Sequence, residues 1–157
     1  MRLLLPLLLL VNAPLLASEV SLVRVWPEYR EAASFKRIAE YFGGSEVRRG
    51  QTILRTRPAE RDGYYFLTRI KSAAAAPGAI LVVQAIRPGQ SDAEVHFFPA
   101  DLPKGSHAFL LGLTGEDWTD GQTNPLAWQV RVLGADGSEL AREQSFLWEQ
   151  PALAADD

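Results

Sequence analysis

The chain has no cysteine and only two histidines in 157 residues. Without thiols there can be no thiolate nucleophile, no zinc–thiolate or iron–sulfur site, no disulfide and no lipid-modified export cysteine. His96 and His107 are too far apart in sequence for His-x-His or His-x-x-x-His ligation, so no local metal pair is specified. Ser45, Ser106 and Ser138 each follow a glycine, but the second glycine of a nucleophile elbow is missing, as is any glycine-rich phosphate loop. No strong charge of one sign is present: 16 basic against 19 acidic residues leave a formal charge of −3. A mildly acidic chain lacks the basic face that would release counterions from nucleic acid, so no nucleic-acid partner is expected.

What is there begins with a leader. Met1-Arg2 is followed by an apolar run over 3–11, and Ala17 is a small residue suited to the position before a cut. A membrane-spanning helix needs roughly 20 apolar residues, and Glu19 ends this stretch too early. The reading is a signal peptide over 1–17, export to the periplasm, cell surface or medium, and no transmembrane segment once it is removed. The remainder, 19–149, is of single-domain length. The tail 150–157 lacks a packing pattern and is expected to be disordered.

Residues 20–26 read as a strand that Pro27 breaks. Phe35, Ile38, Ala39 and Phe42 recur at i, i+3, i+4, i+7, which predicts a helix over 28–42 stopped by Gly43-Gly44. The period then becomes two. Strands are expected over 51–56, 64–70, 80–86, 93–98 and 107–113, separated by Gly/Pro/Asp turns. In the first aromatic run, Tyr64, Phe66, Thr68 and Ile70 share one face; Tyr65, Leu67 and Arg69 share the other. Trp128, Val130 and Val132 alternate with Gln129 and Arg131, Asp136-Gly137 reverses the chain, and a long partner strand is expected over 138–148 with Phe146 and Trp148 packing together. Seven or eight short strands and one early helix, with no strand–helix alternation, indicate an all-β antiparallel sandwich. Over roughly 50–148 the chain resembles the immunoglobulin-like or fibronectin type III-like sandwiches of exported bacterial proteins. The resemblance is one of strand spacing and implies an architecture only, since such folds carry many functions.

Two clusters are candidate ligand sites. In the loop 112–125, Glu116, Asp117 and Asp120 place several carboxylates close together, the oxygen-rich chemistry that calcium takes, although the spacing is not that of a helix–loop–helix calcium loop. Trp118 among these acids either folds back as a plug over one end of the sandwich or serves as a sugar platform, an indole for the ring and carboxylates for the hydroxyls. Arg55 and Arg57 belong to a run with Arg48, Arg49 and Arg61, and arginine forks suit carboxylate or phosphate. Glu60 and Asp62 interleave with them, as on a salt-laced turn. These features lead to a non-catalytic exported module without cofactor, structural or partner-binding, whose partner is a protein or an envelope polysaccharide. The alternative is a glycan-binding module built on the Trp118 loop.

Overall fold

The computed structural model describes residues 19–39 and 51–149. The leader, the helix stop at Gly43-Gly44, Phe42, Arg48, Arg49 and the tail 150–157 lie outside the described residues. Eight strands and one helix follow in order: β1 Val20–Arg30, α1 Ala32–Ala39, β2 Gln51–Arg55, β3 Gly63–Ser72, β4 Ala76–Ile86, β5 Glu94–Leu102, β6 Gly105–Thr114, β7 Ala127–Leu133 and β8 Glu139–Gln144. They form two four-stranded sheets, ordered β1-β3-β6-β2 and β5-β4-β7-β8. All pairings are antiparallel except β2 with β6, which is parallel. The architecture is therefore mostly β and sandwich-like.

The period of two in the sequence decides which side chains meet. Tyr64, Phe66 and Ile70 of β3, with Phe109, Leu111 and Leu113 of β6, turn toward Leu81 and Val83 of β4 and Val130 and Val132 of β7, all buried in one core. Burying a side chain of this size contributes roughly 1.5–3 kcal/mol, which makes this layer the main source of stability.

A smaller cluster lies on the opposite face of the first sheet. There Phe35 of α1 packs with Tyr65 and Leu110, its ring 5.0 Å from that of Tyr65. The helix thus lies over a sheet face, and not along an edge. It also starts later than residue 28. Residues 28–30 continue β1, with Pro27 opposite Phe66 and Tyr29 opposite Tyr64. β1 is an edge strand, where a proline need not end the pairing. The Asp62 carboxylate accepts the Ala32 N–H at 2.6 Å, which satisfies a free donor at the start of α1.

At the other end of the chain the partner strand is shorter than 138–148. Ser145 exchanges backbone and side-chain bonds with Trp128, and residues Phe146–Glu149 then form a 3₁₀ turn. Phe146 is 79% exposed and does not pack as expected. The β7–β8 reversal is as read: Gly137 has φ +81° and the Asp136 carboxylate accepts from both the N–H and the hydroxyl of Ser138.

Two predictions follow from these contacts. A Cβ at Gly112 would stand 2.3 Å from the Tyr65 ring, whose hydroxyl is tethered at both sides, so Gly112→Ala is expected to cost about 1–3 kcal/mol in chemical denaturation. The Ser138 hydrogen bonds lower the Asp136 pKa below its ordinary 3.8. Their contribution is fully present above that value and is lost as pH falls through the native pKa. The deficit of Asp136→Ala should accordingly be present at neutral pH and vanish in strong acid, as read by melting curves against pH.

Candidate functional site

The loop carrying Glu116, Asp117, Trp118 and Asp120 closes one end of the sandwich, and its position is fixed by the crossing from β2 to β3. That crossing passes the end of β6, where buried Thr114 holds it: the Arg57 N–H donates to the Thr114 hydroxyl, the hydroxyl donates to the Arg57 carbonyl, and the Thr114 N–H donates to the Thr56 hydroxyl, all at 3.0 Å. The turn bearing Arg57 is thereby laid beside the acidic loop. Arg57 Nε reaches Asp117 Oδ2 at 3.2 Å and its Nη2 reaches Glu116 Oε2 at 3.4 Å. These pairs are exposed and contribute little each; they neutralise the acids with the protein's own arginine.

The stronger partner is one that sequence reasoning missed. Arg87 follows β4, and its side chain is only 9% exposed. Its Nη2 donates to Glu94 Oε2 at 2.8 Å and also to the Asp117 carbonyl, while Nη1 donates to Asp120 Oδ2 at 3.3 Å. The guanidinium lies 4.8 Å from the Trp118 ring centre. Tyr64 supports the same indole at 4.7 Å, and the indole N–H donates to the Gly121 carbonyl at 3.0 Å. Trp118 is 4% exposed. It fills the gap between a tyrosine of one sheet and an arginine of the other, so it sits as a plug over one end of the sandwich, and the exposed indole that the sugar-platform alternative needs is not formed. The reason is packing: an indole costs more in water than against Tyr64 and the core edge.

The expected ligand residues are therefore brought together, but onto each other. Glu116 and Asp117 face Arg57, and Asp120 and Glu94 face Arg87. Among the described residues no three histidine or carboxylate side chains converge as a metal site. Arg55 sits on the far side of the first sheet, where its Nε donates to the Tyr65 hydroxyl at 2.8 Å and its guanidinium lies 5.0 Å from the Phe35 ring. Burial raises the Tyr65 pKa, and the Arg55 contact opposes that rise.

The histidines are separated. His96 on β5 has its Nε2 3.8 Å from Glu94 Oε2, whereas His107 on β6 has its Nε2 2.9 Å from the Thr52 hydroxyl of β2. A polar cleft of about 550 Å³ lies where β1 runs into α1, lined by Glu28, Tyr29, Arg30, Glu31, Ser34 and Gln122. Desolvation and the charges of Asp62 and Glu31 raise the Tyr29 pKa there.

The signal for Arg87 was the period of two itself. Ala79, Leu81, Val83 and Ala85 face the core, and counting on by two reaches 87. Comparison with protein-family models, curated proteins and solved structures finds no match to this chain.

Removing the Arg87 charge leaves Glu94 and Asp120 without their cation. Both are partly exposed and regain water, so Arg87→Met is expected to cost about 2–3 kcal/mol, less than a fully buried pair. Denaturation with Trp emission as the probe should show the loss together with a red shift from Trp118. An unchanged midpoint would mean that the arginine does not hold the loop.

Proposed function

We propose that this chain is an exported, non-catalytic sandwich of the immunoglobulin-like or fibronectin type III-like kind, which works by holding a protein partner against the outer face of its second sheet. The architectural part is supported by strand order. β1-β3-β6 opposite β5-β4-β7-β8 corresponds to strands A-B-E opposite C′-C-F-G, with β2 added beside β6. Export is supported by the leader read from residues 1–17.

The binding part is carried by one observation: Phe97 on β5 is 63% exposed, with Val95 and Pro99 exposed on the same face of that strand. Single exposed apolar residues are ordinary, but a contiguous set beside a groove marks a contact surface. The groove, about 280 Å³, runs between β2 and β5 and is lined by Ile53, Leu54, Pro58, Phe98 and Pro99 as well as Phe97. Three of the four strand edges are a less suitable contact. β1 carries Pro27 and an irregularity between Leu22 and Arg24, β5 carries Pro99, and β8 carries Glu139, Arg142 and Glu143, all of which oppose addition of a further strand.

A photo-crosslinking side chain at position 97 should yield a discrete protein adduct in the native envelope fraction, while the same group at the hairpin residue 136 should not. Phe97→Glu should abolish partner capture and leave the melting temperature essentially unchanged, as exposed positions do. Absence of an adduct from 97, or the same adducts from both positions, would refute the assignment.

A further inference from the structure

The outer face of the first sheet carries charges that no acid among the described residues meets. β1 and β3 pair so that Arg24 stands directly opposite Arg69, and Ser21 opposite Lys71. Arg69 and Lys71 alternate with the buried Thr68, Ile70 and Ser72, so they point outward, as Arg24 does beside buried Val25. All three cations are exposed, and none of them has an ion pair among the described residues. Like charges directly opposite on paired strands are destabilising. In a chain with an acidic excess, this arrangement is paired with acids easily, yet from Ser21 to Trp26 and from Leu67 to Lys71 no acid is present. Glu19 lies one row beyond Lys71. The β5–β6 turn brings Lys104 to the same end, since Gly105 pairs with Ser72.

Beside the cations stand exposed apolar groups. Trp26 is 37% exposed and Val23 projects from the irregular stretch of β1. The Arg24 guanidinium covers the Trp26 ring at 4.6 Å. A ring face covered in this way is not offered to a sugar. A half-exposed indole with a cation on it instead matches the side chains that settle at the headgroup level of a bilayer. The cations are presented by neighbouring strands of one sheet, a planar array suited to a planar charged surface.

We infer that this face docks on a membrane leaflet of anionic lipids, with Arg24, Arg69 and Lys71 meeting headgroup phosphates and Trp26 entering the interfacial layer. The inference stands on a different sheet from the Phe97 contact and does not depend on it. Each cation near an anionic leaflet raises partitioning about fivefold.

The test is co-sedimentation of the full chain with phosphatidylglycerol-containing phosphatidylcholine vesicles and with phosphatidylcholine vesicles alone. The leader, with Arg2 and the amino terminus, is shared by wild type and variants, so comparing them on the same vesicles cancels what it contributes. Wild type should prefer the anionic vesicles at low salt and lose the preference at high salt. The Arg69→Glu, Lys71→Glu double variant should lower the anionic partitioning by about 30-fold or more. The single variant Arg69→Glu sets an acid opposite Arg24 and should melt about 1–4 °C higher while binding less, which separates lost docking from lost folding. Equal partition of wild type between the two vesicle types overturns the inference, as does a double variant that keeps its preference. Capture by soluble polyphosphate without vesicle binding also overturns it and makes the face a site for dissolved polyanions.

Discussion

A guanidinium held out of water governs the closed end of this molecule. Arg87 has left most of its hydration, so its charge must be met by Glu94, Asp120 and the Asp117 carbonyl, and these come from two separate segments. Meeting it draws the acidic loop down over the core and seats Trp118 between Arg87 and Tyr64. Thr114 performs the matching task on the other sheet, fixing the crossing that carries Arg57 to the same loop. Residues that look in sequence like a ligand site are thereby consumed in joining the sheets.

With that end closed, surface chemistry is left to the two outer faces, and they differ. On the first sheet α1 covers Tyr65 and Leu110, while the half bearing Arg24, Arg69 and Lys71 is cationic and exposed among the described residues. On the second sheet the β5 side is apolar around Phe97. In the proposed role, one face orients the protein at a charged surface and the other engages a partner. No helix among the described residues is long and apolar enough to cross a membrane.

Much of the fold was legible because the side-chain period of a strand is two. The facing of Tyr64 and Phe66 against Tyr65 and Leu67, and the inward line of Val130 and Val132, come directly from that alternation. What was not legible depended on neighbours distant in sequence. Pro27 breaks a strand only if its partner strand lies on both sides, and an edge position relieves it. Phe35 announced an apolar helix face, but nothing local said which surface would receive it. The parallel pairing of β2 with β6 required knowing that residues 56–62 cross the end of β6. The loop's partners were hidden for the same reason. Carboxylates and an indole within five residues look like a binding loop until Arg57 and Arg87 arrive from 60 and 30 residues away to occupy them.

Hydroxyl-radical footprinting of aromatic side chains, on the isolated chain and on the chain mixed with its native envelope fraction, tests this account most directly. In isolation Phe97 and Trp26 should be labelled readily and Trp118 hardly at all; with envelope material present, Phe97 and Trp26 should become protected and Trp118 should not change. Ready labelling of Trp118 in the isolated chain, with envelope material shielding it while Phe97 and Trp26 stay reactive, would contradict the account.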